Sequence, residues 1–246
     1  MKQMAFARIG GWVLGGALLA PMAAPVAAAD LDRLGILGQG QFRLLSEDLA
    51  AALSYKPVIP AEPLGLTGFD IGVEVSVTDL RSAEALEQAT AEDAPAMLPV
   101  ARLHLHKGLP FGIDAALSYS AVPGSNIELW GGALRYAVLE GSAAMPALGV
   151  RASYTRLSGV DQLDFDTFGA DVSLSKGFLF LTPYVGVGQV WATGTPRQVP
   201  GLAEESFSVT KVFAGVNVAI GLLSIAGEID RTGEVWSYTG KASLRF

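Results

Sequence analysis

Apolar and polar residues alternate along the last eleven residues of the chain, from Trp236 to Phe246. One set of alternate positions is apolar or small and ends on Phe246, whereas the other set, from Ser237 to Arg245, is polar or charged. A β-strand places successive side chains on opposite faces. The segment therefore predicts a strand with one apolar and one polar face, ending on an aromatic residue.

The same alternation recurs nine more times, which predicts ten strands in all. Each run is about as long as a tilted strand needs to be to cross a bilayer. In the fourth run Ile127 and Leu129 blur the alternation, and a β-bulge is one explanation. The nine runs are 69–78, 101–106, 111–120, 126–138, 147–156, 164–175, 179–191, 206–220 and 222–230.

The connections between these runs alternate in length. Odd connections tend to be long and polar, such as 79–96 and 192–205, whereas even ones are mostly tight, such as 108–110. Outer-membrane β-barrels have long outer loops and short periplasmic turns, and an even strand count closes the sheet without an edge. We predict an all-β fold, an antiparallel up-and-down transmembrane barrel of about ten strands, whose last strand pairs with 69–78. The Ala, Glu and Leu content of 79–96 predicts a short helix in that loop.

The first 29 residues have the features of an export signal. Lys2 and Arg8 precede an apolar run up to Ala20, and small residues follow as far as Ala29. A basic start, a short apolar middle and a small-residue end are typical of a secretory signal peptide. We predict cleavage after Ala29, with an uncleaved membrane anchor as the alternative. Export favours the membrane barrel over a soluble β-protein with half-buried strands.

The segment before the first strand does not alternate. Apolar residues recur at helical spacings of three and four over 41–55, and Pro57, Pro60 and Pro63 follow. We predict a short amphipathic helix and an extended linker on the periplasmic side, where the helix plugs the lumen or caps its floor. A helix outside the barrel mouth, or a partly ordered tail, is the alternative. The predicted divisions are 1–29, 30–66 and 67–246 for signal peptide, helix with linker, and barrel.

Composition excludes several functions. The sequence has no cysteine, which excludes disulfides and thiolate chemistry. Its formal charge of −7 becomes −9 when Lys2 and Arg8 are removed, and an acidic chain does not suit nucleic acid, which requires a basic face. No cofactor is predicted.

Candidate catalytic residues are few. His104 and His106 are the only histidines and share one face of the second strand, with Asp114 and Ser118 on the next strand. Such a set can contribute to a metal site, or to a hydrolase resembling the outer-membrane proteases or lipid A deacylases. However, His106 would lie near the periplasmic end, away from the outer face where those proteases act. Polar lining of the lumen is the other interpretation, and the lack of a nucleophile elbow, P-loop or metal motif favours it.

Charged residues on the polar strand faces are predicted to line the lumen. Mixed charges across a narrow barrel tend to pair and fill the interior rather than leave a pore. The predicted lining residues are Glu74, Arg102, Asp114, Arg135, Arg151, Asp171, Lys211, Glu228, Asp230, Lys241 and Arg245.

Several segments together resemble a family of uncharacterised proteobacterial outer-membrane β-barrels. They are the helix, the linker, the start Gly68-Phe69-Asp70, the phrase LTPYVGVG from Leu181 to Gly188, and the terminal Phe246. The resemblance covers most of the predicted mature chain and implies a location in the Gram-negative outer membrane, in contact with its lipid. It also implies that Phe246 is the recognition end for the barrel-assembly machinery. It implies no activity.

The predicted function is an envelope-structural role or passive transport of small solutes. A barrel that binds a partner at the cell surface, and a hydrolase using His104 and His106, are the alternatives. The state of the lumen discriminates between them. An open lumen favours transport, whereas a lumen filled by the helix and by ion pairs favours structure or binding.

Overall fold

A computed structural model describes residues 31, 33–90, 96–122 and 125–246, so the predicted signal peptide lies outside the described residues. Within this part of the chain, ten antiparallel strands close into a barrel in which strands adjacent in sequence pair. The predicted all-β, up-and-down barrel is confirmed. The strands are β1 Phe69–Asp79, β2 Met97–Gly108, β3 Ile113–Ala121, β4 Glu128–Leu139, β5 Ala147–Ser158, β6 Leu163–Ser175, β7 Leu181–Pro196, β8 Glu205–Ile220, β9 Leu223–Thr232 and β10 Val235–Arg245.

The last strand closes the barrel against the first, as predicted. Residues 237–245 of β10 pair with residues 70–78 of β1. Phe246 extends this pairing, because its N–H donates to Phe69 O at 3.0 Å and its carbonyl accepts from Phe69 N–H at 2.6 Å. The two rings stack with centroids 5.7 Å apart. Closure leaves no strand edge with unpaired backbone groups in the lipid.

Apolar side chains face outward along the strands and polar ones face the lumen. In β1, Val73 and Val75 are about half exposed, whereas Glu74 and Ser76 between them are fully buried. The same alternation continues through β9 and β10. This arrangement is the reverse of a soluble core and gives the barrel an apolar outer surface suited to lipid.

The described residues contain two α-helices, α1 Gln39–Leu53 and α2 Ala83–Thr90, and α2 confirms the helix predicted in the first loop. Neither described helix is long and apolar enough to cross a membrane. α1 contacts β1, β2, β7, β9 and β10, which lie on different sides of the barrel, so α1 occupies the interior.

The part of the lumen around α1 is apolar. Phe42 and Leu45 of α1 are fully buried and belong to one core with Leu129, Leu157 and Phe165, from β4, β5 and β6. The inward-facing positions around α1 are therefore apolar. This differs from the polar lining of the lumen that simple alternation predicts. It also explains the blurred pattern around 127–129, because Leu129 packs in this core. The register shift in β4 lies instead at 137–139.

α1 lies at the mouth that carries the long connections, whereas the sequence predicts it on the side of the short turns. The N-terminal residues contact the long connections: Arg33 N–H donates to Ala89 O at 3.0 Å, and Leu34 N–H donates to Gln162 Oε1 at 3.0 Å. At the opposite mouth, which has the short turns, Gly108 N–H donates to Gly68 O at 3.0 Å. The chain thus crosses the lumen from the long-loop mouth to the short-turn mouth before β1 begins. Helical periodicity predicts the helix but carries no information on which mouth it occupies.

Candidate functional site

Residues 54–64, named the strap, follow α1 and cross the polar half of the lumen. Residues 54–61 are all buried. They form neither helix nor strand, so their backbone groups need partners from the barrel wall. Pro57, Pro60 and Pro63 have no N–H, and this lowers the number of donors that need a partner.

Side chains of the barrel wall supply hydrogen-bond partners for the strap backbone. Each of these side chains is held by its strand beside a particular residue of the strap. Arg102 Nη2 donates to Ala52 O, in the last turn of α1, at 2.6 Å. The contacts of the strap itself, in chain order, are Lys211 Nζ to Tyr55 O at 3.0 Å, Val58 N–H to Glu228 Oε2 at 3.1 Å, Arg135 to Pro60 O, Ala61 N–H to Ser175 Oγ at 3.1 Å, Arg135 Nη2 to Glu62 O at 2.9 Å and Leu64 N–H to Asp114 Oδ1 at 3.0 Å.

The strap is also held in an unusual backbone conformation. Val58 has a φ of 41°, a region that a β-branched residue rarely adopts. Its N–H donates to Glu228, whose carboxylate also accepts from the Tyr184 hydroxyl at 3.0 Å. These contacts hold Val58 in place, since a strained residue persists only where its surroundings enforce it.

The charged residues predicted to line the lumen all lie inside it, and most form ion pairs there. Burying such pairs is costly, and removing one member leaves a buried charge without a partner. The pairs are Arg102–Glu74 at 2.6 Å, Lys56–Asp230 at 2.8 Å, Arg151–Asp171 at 2.6 Å, Lys241–Asp70 at 2.7 Å, Arg245–Asp70 at 3.0 Å and Arg135–Asp114.

The lumen is closed at the level of these pairs. Side chains that line an open, water-filled channel have accessible surface. Lys56, Glu74 and Asp230 have none, with exposures of 0%. The strap and its ion pairs therefore fill the cross-section at this depth.

The two histidines lie in this filled region. Their rings stack at 5.6 Å, the Tyr55 ring meets His104 edge-on at 5.7 Å, and His104 Nε2 lies 2.5 Å from Glu74 Oε2. His104 and His106 are only 2% and 3% exposed. Among the described residues, no group of three His, Asp or Glu is placed to hold a metal ion.

The other two hydrolase candidates are engaged elsewhere or enclosed. Asp114 pairs with Arg135 and accepts from the strap at Leu64. Ser118 lies across from His104 in the strand register but is 5% exposed. The structure thus brings Ser118 and His104 to neighbouring strands and commits Asp114 to another role. With the strap in place, both residues have almost no accessible surface.

At the long-loop mouth, α1 is tied to the first loop. Asp48 accepts from Ser82 N–H at 2.7 Å, and Arg81 donates to Glu47 Oε2 at 2.8 Å. Partial burial on its own would raise the pKa of Glu47, but hydrogen bonds from Arg81 and Arg43 outweigh it and lower this pKa below its usual value of 4.5. Glu47 is therefore ionised at neutral pH and holds both guanidinium groups.

Sequence reasoning missed Lys56 and Tyr184. Lys56 lies outside every alternating run, and its only signal is a single charge between apolar and proline residues. Tyr184 lies on the predicted polar face of β7, but nothing in the sequence indicates that its hydroxyl donates to the carboxylate of Glu228. Both become visible once the path of the strap is known.

A closed barrel with an apolar outer face and charged residues inside is the architecture that spans the outer membrane. The chain is an outer-membrane β-barrel protein of the Gram-negative envelope. No protein-family model matches it, and no curated protein matches it in sequence, so the resemblance to an uncharacterised family stays a prediction.

Three solved structures are similar to this chain at low sequence identity. The N-terminal β-barrel domain of Pseudomonas aeruginosa OprF is 12% identical, covering 72% of this chain and 97% of that one, with a TM-score of 0.38. An outer membrane channel of Pseudomonas putida F1 is 12% identical, covering 78% and 99%, with a TM-score of 0.48. Neisserial surface protein A is 9% identical, covering 72% and 95%, with a TM-score of 0.32.

Proposed function

We propose that this protein is a non-conducting barrel with a structural or surface-binding role, rather than a passive channel. The observation that supports this proposal is the path of residues 33–68, which run through the lumen from one mouth to the other. A solute crossing the lumen has to displace the strap. Each wall contact that it breaks leaves a buried polar group unpaired, at a cost of about 1–3 kcal/mol.

The long-loop mouth, which we take to face the outside of the cell, supports the surface-binding form of the proposal. Ile36 and Leu44 are apolar residues at this mouth and are 61% and 46% exposed. The loops around them are fixed to α1 by Asp48 and by Gln39, which donates to Ala203 O at 3.1 Å. An ordered face with exposed apolar residues suits a partner better than a set of separate, unattached loops.

Conductance in planar bilayers tests the proposal. The full mature chain is expected to insert without producing current steps, with insertion verified by heat-modifiable mobility on gels. A variant that lacks residues 31–64 serves as the comparison, because removal of α1 and the strap should open the lumen and produce current. Steady current steps from the intact, verified barrel would contradict the proposal and favour passive transport.

We also propose that Phe246 is read during assembly. Its side chain is 58% exposed at the end of β10, while its backbone closes the barrel against Phe69. Phe246→Ala keeps the backbone pairing and removes only the ring, so outer-membrane levels should fall while the refolded protein keeps its stability. Leu244→Ala, on the same outward face and 54% exposed, is the control. Equal membrane levels for the two variants would refute this role.

A further inference from the structure

Two adjacent short turns carry an exposed apolar cluster, named the turn patch. The β6–β7 turn touches the end of β8, next to the β8–β9 turn, since Ala219 N–H donates to Phe180 O at 2.8 Å. The members of the patch and their exposures are Phe178 57%, Leu179 102%, Phe180 58%, Ile220 66% and Leu222 60%.

The neighbouring short turn is different. Lys176 reaches the β4–β5 turn, where its Nζ donates to Ser142 O at 2.9 Å and to Ala143 O at 2.7 Å. Glu140 in the same turn is exposed. Charged groups remain in water, so this side of the short-turn mouth faces the aqueous phase. The mouth is therefore asymmetric: the charged groups of Lys176 and Glu140 lie at the β4–β5 turn, whereas the tips of the β6–β7 and β8–β9 turns are apolar.

The turn patch continues the lipid-facing surface of the barrel. Residues 177–182 and 218–226 contain no charged residue. Outward residues just inside the strands, such as Val185 and Ile225, are 54% and 50% exposed and belong to the outer apolar face. No polar ring separates them from the turn tips, so the apolar surface extends past the ends of the strands.

Part of the backbone of the β6–β7 turn is paired within the turn itself. Phe178 N–H donates to Leu181 O at 2.7 Å, and Leu181 N–H donates to Phe178 O at 2.9 Å. Backbone groups that are paired in this way do not need water, and Phe180 O is paired as well, with Ala219 N–H. The tip residue Leu179 is then free to contact lipid.

We propose that the turn patch is embedded in the periplasmic leaflet of the outer membrane. The occupant of this surface is the acyl region of that leaflet, because the patch is continuous with the lipid-facing wall. The barrel then lies tilted, with its β6–β7 and β8–β9 turns drawn into the membrane and its β4–β5 turn in the periplasmic water. Tilt is a usual response when the apolar surface is taller on one side than on the other.

The sequence has no cysteine, which makes the test direct. Leu179→Cys, Leu222→Cys and Met145→Cys are each labelled with a polarity-sensitive fluorophore. The full mature chain is then reconstituted in phosphatidylethanolamine–phosphatidylglycerol vesicles, with and without brominated acyl chains. Met145 is the matched control, since it is an apolar residue in the β4–β5 turn with 59% exposure.

The probes at 179 and 222 are expected to show blue-shifted emission and severalfold stronger quenching by bromine than the probe at 145. Water-like emission at all three sites would overturn the proposal, because the patch would then face the periplasm. A blue shift without bromine quenching would also overturn it, since that result indicates a protein contact, such as a second copy of the chain. Heat-modifiable mobility of each variant shows that the barrel has formed.

Discussion

Arg135 shows how one side chain links the wall to the strap. Its guanidinium pairs with Asp114 and donates to the carbonyls of Pro60 and Glu62. Only arginine presents several donors in a rigid plane, so it can satisfy a carboxylate and two carbonyls together. The residue is 5% exposed, and water does not replace these contacts if they are lost.

We predict that Arg135→Ala lowers the free energy of unfolding by about 3–5 kcal/mol, because Asp114 is left as a buried charge without its partner. Urea unfolding of the refolded barrel, followed by tryptophan fluorescence, measures this change. Arg156→Ala is the control, since the Arg156 side chain is 58% exposed and 3.9 Å from Asp166. That variant should lower the free energy of unfolding by about 0–1 kcal/mol, because exposed ion pairs contribute little to stability. Similar losses for both variants would contradict the role given to Arg135.

Glu47 makes the contact between α1 and the first loop sensitive to acid. Its pKa is lowered in the folded state by Arg81 and Arg43, against the effect of partial burial. The ionised carboxylate therefore stabilises the fold at pH values above 4.5, and this contribution disappears as the pH falls through the lowered pKa. Amide exchange in α1, corrected for its intrinsic pH dependence, should accelerate below pH 4.5. Glu47→Gln should remove this acceleration, and an unchanged acid response in that variant would contradict it.

At the scale of elements, the strap is an extended segment with regularly placed prolines. Each wall strand pairs with a neighbour on both sides, so the strap finds no free strand edge and meets wall side chains instead. Proline removes donors, and wall side chains satisfy the groups that remain. The polar half of the lumen is thus built around this segment, whereas the apolar half is built around α1.

Pro60→Ala adds a buried N–H and increases the freedom of the unfolded chain. Pro60 is buried, so we expect the substitution to lower the free energy of unfolding by about 1–2 kcal/mol. Pro200→Ala, in the exposed loop before β8, is the matched control and should change stability by a few tenths of that amount. Urea unfolding distinguishes the two. A larger loss at Pro200 would show that chain entropy, rather than burial in the lumen, controls the effect.

At the scale of the whole molecule, the direction in which α1 and the strap run through the lumen decides which residues lie at each mouth. Ile36 lies at the long-loop mouth and Leu66 at the short-turn mouth, with exposures of 61% and 63%. Long loops of outer-membrane barrels face the outside of the cell. Residues just before α1 are therefore expected at the cell surface.

Single cysteines measure this arrangement, because the native chain has none. On intact cells, a membrane-impermeant maleimide should label Ile36→Cys and should not label Leu66→Cys. After the outer membrane is permeabilised, both should react, since the two side chains are similarly exposed. Labelling of Leu66→Cys alone on intact cells would reverse the assignment of the two mouths.

The barrel is predictable from sequence because alternation is a local property. The run at Phe69–Thr78 and the closing strand show their two faces without any knowledge of their neighbours, and an even count brings the two together. The same local pattern places Glu74 and Arg135 on lumen positions. It does not reveal their partners, because Arg135 meets Pro60 from 75 residues away.

Local sequence is thus sufficient for the strands, their lipid-facing sides and the closure of the sheet, because each depends on a period of two and on paired edges. The path of residues 33–68, the apolar packing around Phe42 and the filled state of the lumen emerge only from tertiary contacts. The periodicity of a helix and the prolines of a linker do not indicate the direction in which the segment runs through the barrel. Their position depends on which wall groups lie near enough to satisfy them, and that is a property of the closed barrel as a whole.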